Sequence, residues 1–215
     1  MGLFTRFSRI SRQRKMTLFY ELMAPDEHCT VLDVGAQVAV GDLDDCQLVD
    51  SYPWKVNLST INIREQHTRE IRQRFPEIDA RTGDALCLPW PDKHFDIVYS
   101  NAVIEHVGDL DNQRKMASEI MRVGKRWFVT TPNRWYPFEF HLRLPFVTWL
   151  PGQAYRACGW IVCYNHVHRK YVFGNDCSDI RLMTARELRE CFPGSKVIPL
   201  RVTFMAETLV VAGGD

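Results

Sequence analysis

The amino-acid sequence predicts an α/β fold: a doubly wound, mostly parallel sheet that ends in an antiparallel pair of strands. Three observations predict it. Five short β-rich runs alternate with helical stretches between residues 30 and 131. Those runs are close to continuously apolar, as strands covered by helices on both faces must be. Two further runs near the C-terminus are separated by only a few residues, a connection too short to join parallel neighbours.

Taken in order, residues 16–23 read as a helix ended by Pro25, because proline cannot continue the hydrogen-bond ladder. Before it, residues 1–15 form a basic arm with Arg6, Arg9, Arg12 and Arg14 set among Phe4, Phe7 and Ile10. Such an arm is either an ordinary solvated or frayed N-terminal helix or an amphipathic segment in peripheral contact with an anionic membrane. The five runs are residues 30–35 (TVLDVG), 56–61 (VNLSTI), 78–82 (IDART), 95–100 (FDIVYS) and 126–131 (RWFVTT). Between the second and third, residues 64–75 read as a polar helix with Glu65/Arg69 and Glu70/Arg74 pairs one turn apart, closed by Pro76. Residues 113–123 read as a helix with Met116, Ala117 and Ile120 on one face. Thr184 and Glu187 form a capping box ahead of Leu188, Cys191 and Phe192, and Pro193-Gly194 stops that helix. The last two strands are residues 196–202 and 207–212. The stretch 133–183 breaks the alternation. It is rich in aromatic residues and proline, and reads as an insertion that covers the active-site edge of the sheet.

The bulk properties set bounds on function. A chain of 215 residues with 46% hydrophobic and 25% charged residues has the make-up of one globular domain. A formal net charge of +1 gives no reason to expect a nucleic-acid partner. No apolar run approaches the roughly 20 residues that cross a bilayer. The first residues lack the apolar core of a secretory signal, and Arg6 stands where an acylation motif wants Ser or Thr. Seven cysteines, odd in number and without a C-x-x-C pair, fit reduced thiols in a cytoplasm better than a disulfide framework or a zinc site.

In an open parallel sheet, ligands bind beyond the carboxyl ends of the strands, where the strand order reverses. The first run ends in Asp33-Val34-Gly35-Ala36-Gln37, an acidic residue before a turn that lets a ligand approach the main chain. The second ends at Asn62, which can accept one hydrogen bond and donate another. The third leads into GDALCLPWPDKHFDIVYSNAVIEHV, residues 83–107.

That string closely resembles the G-D-A-x-x-L-P-x-x-D-x-x-F-D-x-V pattern of class I S-adenosylmethionine-dependent methyltransferases of the type 11 group. VLDVGAQVAVGD resembles their first motif, with Gln37 and Ala39 where glycines are usual. SNAVIEHVGDLDNQ and MRVGKRWFVTTPNRWYPFEFH are similar to bacterial methyltransferases of glycan and cell-surface biosynthesis, whose second strand also ends in Asn. The resemblance covers roughly residues 18–192. It implies a Rossmann-like methyltransferase sheet and S-adenosylmethionine as cofactor. Asp33, Gly35, Ala36 and Gln37 would cradle the methionine part, Asn62 would meet the ribose, and Asp84 would accept from the adenine amine. Ala85 and Leu86 would lie at the ring, and Asn101 beside the cofactor.

A sulfonium methyl is already electrophilic, so the protein must place the acceptor, exclude water and take a proton if the acceptor is a hydroxyl. His106, directly or through Glu105, and His141 are the candidate catalytic groups, each with the alternative of a helix-capping or core histidine. Asn133, Trp135, Tyr136 and Glu139 are candidate substrate contacts, and the aromatic residues either stack on a sugar face or pack a lid. His166 and His168 alternate without nearby carboxylates, which is weak support for a metal. The expected reaction is methylation of an oxygen on a small or carrier-linked acceptor, a sugar or related metabolite. The alternative is a non-catalytic regulatory or scaffolding protein on the same fold, which the thinned glycine turn favours. A dinucleotide oxidoreductase lacks its G-x-G-x-x-G, and base-flipping nucleic-acid methylation lacks its motif after the fourth strand.

Overall fold

The computed structural model of the protein describes residues 3–39, 47–139, 142–165, 170–173 and 180–214. The chain opens with α1 (Leu3–Met23) and then lays down β1 (Val31–Val34), α2 (Leu48–Ser51), β2 (Leu58–Asn62), α3 (Glu65–Arg74), β3 (Asp79–Thr82), β4 (Phe95–Asn101), α4 (Leu110–Val123) and β5 (Gly124–Pro132). The insertion follows: the short pair β6 (Phe138–Glu139) and β7 (Leu144–Pro145), then α5 (Gly152–Ile161), then the pair β8 (Val162–Asn165) and β9 (Lys170–Phe173). It ends with α6 (Ala185–Cys191), β10 (Lys196–Arg201) and β11 (Ala206–Gly214).

Seven strands form one sheet in the order β3-β2-β1-β4-β5-β11-β10. The first five are parallel, and β11 runs antiparallel to both β5 and β10. From β1 the chain moves outward through β2 and β3, then returns to place β4 on the other side of β1. The crevice expected for a ligand therefore lies between the exits of β1 and β4.

Alternate residues of each strand serve opposite faces. On one face Val31, Ile97, Tyr99, Phe128 and Val210 pack with Phe19 of α1 and Ile71 of α3. On the other, Leu32, Val34, Val98, Trp127 and Val129 pack with Met116 and Ile120 of α4 and with Leu188 and Phe192 at α6. Burial on both faces explains why the central runs β1, β4 and β5 are apolar rather than alternating, whereas β3, at the edge of the sheet, buries only Ala80. The capping box of α6 has both of its bonds, from Glu187 N–H to Thr184 Oγ1 at 3.2 Å and from Thr184 N–H to Glu187 Oε2 at 2.8 Å.

Two local readings differ from the structure. The expected arm and the helix of residues 16–23 are one continuous α1 over the described part. Ser11, Lys15, Phe19 and Met23 recur every fourth residue and turn toward the sheet. Ser11, Phe19 and Met23 are buried, and the Phe19 ring stands edge-on to Tyr99 at 5.1 Å and to Phe128 at 5.5 Å. On α3, Glu65 and Arg69 pair as expected at 3.1 Å, but Arg74 turns instead to Asp50 at 3.3 Å. Asp50 has a side chain only 4% exposed, and a buried carboxylate gains more from a cation than the better hydrated Glu70 does. No helix among the described residues is long and apolar enough to cross a membrane.

Candidate functional site

The parallel register sets the strand exits side by side: Asp33 lies level with Thr60 and Tyr99, Asn62 with Thr82, and Asn101 with Thr130. Gly35 leaves β1 at φ +85°, and its N–H donates to Ile61 O at 2.8 Å. A Cβ at this position would lie 2.3 Å from Val103 Cγ2, so both the conformation and the packing require glycine. Asn62 acts as a staple. Its Nδ2 donates to Ala36 O at 2.8 Å and its Oδ1 accepts from Arg64 N–H at 2.9 Å, tying the first turn to the end of β2. Asp84 is exposed just beyond β3, where one carboxylate oxygen accepts from Leu86 N–H at 2.9 Å. Ala85 and Leu86 are half-buried against the core, Ala36 is buried and Gln37 is exposed.

Asp33, Asn62 and Asn101 all project to the α1 side of the sheet, since their neighbours Tyr99 and Phe128 pack on Phe19 there. Asp33 is 5% exposed, and burial pushes its carboxyl up to about 8. Such a group suits a cation held against it. At Asn101, Oδ1 accepts from Thr130 Oγ1 at 2.7 Å and from Lys15 Nζ at 2.8 Å. Ala102 follows in the left-handed region at φ 57°, a conformation alanine rarely takes and one that strained sites retain. Lys15 was not among the residues singled out from sequence. The four-residue stripe of α1, extended backwards from Phe19, is the signal that places it at this edge.

The other candidate residues are spread around the exits of β4 and β5. His106 is exposed on a single 3-10 turn, Ile104–His106, whereas its neighbour Glu105 is fully buried and accepts from Thr131 Oγ1 at 3.0 Å. Asn133 knits three segments. Its Nδ2 donates to Ala206 O at 2.9 Å, its Oδ1 accepts from Trp135 N–H at 3.1 Å, and its backbone bridges to Met183. Tyr136 is buried and shares a hydrogen bond with Thr203 Oγ1 at 3.2 Å, while Trp135 is 54% exposed. Glu139 is buried and accepts from Leu142 N–H. His141, His166 and His168 lie outside the described residues.

A first strand ending in a glycine turn, an asparagine at the second exit and an aspartate at the third are held by one parallel sheet. Residues 32–127 match the model of the type 11 methyltransferase domain family. The chain has the Rossmann-like, class I methyltransferase fold, its sheet closed by the antiparallel strand. A 73-residue stretch is 40% identical to a protein of Mycolicibacterium smegmatis named "Probable S-adenosylmethionine-dependent methyltransferase". The match covers 33% of this chain and 27% of that protein, so the chain spans about a quarter of its length. Among solved structures, a methyltransferase of Aquifex aeolicus described as dependent on S-adenosylmethionine superposes with a TM-score of 0.55 at 13% identity, over 92% of this chain and 87% of its own. A protein of Pyrococcus horikoshii superposes with a TM-score of 0.59 at 17% identity, over 93% and 86%. Both likenesses concern the methyltransferase fold.

Proposed function

We propose that the protein is a methyltransferase that binds S-adenosylmethionine across the exits of β1 to β4 and methylates an oxygen of a sugar or related small or carrier-linked metabolite in the cytoplasm. The carrying observation is the convergence of Gly35, Asn62, Asp84 and Asn101 on one sheet edge within the matched residues 32–127. The residues fit such a group. Gly35 keeps the main chain open for close approach, and Asp33 presents a buried carboxyl whose ionised form the positive end of the ligand would favour. Lys15 brings a positive charge to the same edge, suited to the ligand's carboxylate. Asp84, exposed beyond β3, takes the adenine amine, with Ala85 and Leu86 at the ring.

The cofactor supplies an electrophilic sulfonium methyl. The protein's own part is to hold the acceptor in line, exclude water and receive a proton. Exposed His106 is positioned at the rim to receive it, and the insertion after β5 covers the edge with Trp135 and its neighbours. The sugar assignment rests on the sequence resemblance through TPNRWYPFEFH. Calorimetric titration with S-adenosylmethionine tests the reading. Binding heat together with a raised Tm is expected; the absence of both would overturn the reading.

A further inference from the structure

Under the insertion lies a cavity of 260 Å³ lined by Arg134, Thr148, Tyr155, Ile180, Arg181 and Leu182, with Gln153 at its mouth. It is separate from the edge just described but adjoins it. Arg134 is the second residue past β5, and the Arg181 N–H donates to Glu105 O at 2.8 Å, on the turn that carries His106. The Arg181 carbonyl accepts from Gln113 Nε2 of α4 at 2.8 Å. The volume is a little below the range of about 300–1,000 Å³ seen for small-molecule sites, which suits a compact acceptor or one end of it.

Ile180 and Leu182 give the cavity apolar walls, packed with Leu142 and the Tyr155 ring. Its polar groups are unequally occupied. Arg181 is locked, with Nη1 donating to Gln113 Oε1 at 2.6 Å and Nη2 paired with Glu187. Thr148 Oγ1 donates to Tyr136 O at 2.8 Å. The Tyr155 hydroxyl is different: the residue is 8% exposed, and its oxygen is buried without a hydrogen-bond partner among the described residues. Beside it the half-buried Arg134 acts on the hydroxyl electrostatically, and its guanidinium makes no hydrogen bond or ion pair among the described residues. Burial, with the Glu139 and Glu105 carboxylates acting in the same direction, holds the phenol well above its ordinary range, so it stays an O–H donor.

A donor without a hydrogen-bond partner, next to a guanidinium without a hydrogen-bonded or ion-paired partner among the described residues, between apolar walls, has a definite complement. We propose that this cavity receives the methyl acceptor through an anionic group, a carboxylate or a phosphate, held by the Arg134 guanidinium and the Tyr155 hydroxyl. The acceptor role rests on the methyltransferase reading above; the anion site does not. A guanidinium pairs with either anion through parallel N–H donors.

The test is calorimetric titration of the intact chain with benzoate, phenyl phosphate and the neutral isostere benzyl alcohol, on the wild type and on Arg134→Gln and Tyr155→Phe. At least one anion should bind where benzyl alcohol does not, and the preferred one identifies the headgroup. Arg134→Gln should weaken that binding about tenfold or more, the scale of a lost charge-assisted hydrogen bond, and Tyr155→Phe by several-fold. Tyr155→Phe keeps the ring that packs on Ile180 and Leu182, so it also guards against simple misfolding. No anion binding, equal binding of the neutral isostere, or unchanged affinity in Arg134→Gln overturns the proposal. S-adenosylhomocysteine titrated into the same three proteins should bind all alike. Its failure in the wild type would sink the methyltransferase reading while leaving the anion result to stand or fall separately.

Discussion

The sheet edge and the insertion solve the problem of buried polar groups in opposite ways. At the edge, Asn62, Asn101 and Thr130 are tied to one another or to main chain at 2.7–2.9 Å. The sheet is rigid in register, so each strand exit presents a fixed group. In the insertion the supports are two-stranded pairs and one ten-residue helix, and there the Tyr155 hydroxyl is buried without a hydrogen-bond partner among the described residues. A regular sheet can tie its amide and hydroxyl groups internally and still leave a crevice in which one group, Asp33, is buried. A pocket assembled from short elements keeps donors in reserve for whatever fills it.

The strongest way to break the edge is at its tightest point. Gly35→Ala forces a side chain into φ +85° and sets its Cβ against Val103. Left-handed strain and overpacking together should cost roughly 2–5 kcal/mol, a large share of a stability margin of about 5–15 kcal/mol. Denaturant unfolding measures it. Adding Val103→Ala should recover the steric part and leave the conformational part, which separates the two causes.

Next comes Asp33. Its folded-state carboxyl titrates near 8 and its unfolded-state one near 3.8. Between those values the folded chain holds a proton that the unfolded chain has lost. Stability therefore falls as pH rises from about 4 to 8, by a few kcal/mol at most after relaxation. Thermal unfolding across that window should show the slope in the wild type and lose it in Asp33→Asn. A cationic ligand at Asp33 favours the ionised form, so affinity for S-adenosylmethionine should rise toward pH 8 in the wild type and stay flat in the variant. A smaller effect is expected at Asp84, which is exposed. Asp84→Ala should leave the Tm nearly unchanged, at the cost of the turn bond to Leu86 N–H, and weaken cofactor binding about tenfold. Unchanged affinity in calorimetry would remove its adenine role.

The contrast between the two regions also decides how much could be read from sequence. The five strand runs and the capping box at Thr184 were legible because period and local chemistry define them. The positions of Gly35, Asn62 and Asp84 at the strand exits were legible because a parallel sheet puts those exits at one edge. Lys15 was not, since its role depends on α1 continuing back to Leu3 and lying across Asn101, a contact 86 residues apart in sequence. Arg134 and Tyr155 were missed for the same reason. Neither belongs to a repeating pattern, and the cavity they line exists only once residues 180–182 return to the exit of β5. Asn133 and Tyr136 stood out by residue type, yet their polar atoms hold main chain and Thr203, so what the structure shows for them is bracing of the chain after β5.

The smallest change sharpens the comparison most. Tyr155→Phe removes a single oxygen that is buried without a partner among the described residues, and leaving a hydroxyl so placed costs a fold roughly 1–3 kcal/mol. The variant should therefore unfold at a higher temperature than the wild type, by a few degrees, even though it binds anions less well. A hydroxyl retained for packing alone would give no such opposition, because its loss would either leave anion binding unmoved or lower stability with it. At the sheet edge the signs should agree instead. Asn62→Ala strips the bonds to Ala36 O and Arg64 N–H, so stability and cofactor affinity should fall together. Thermal unfolding and calorimetry on these two variants place the two regions on opposite sides of the exchange between stability and binding.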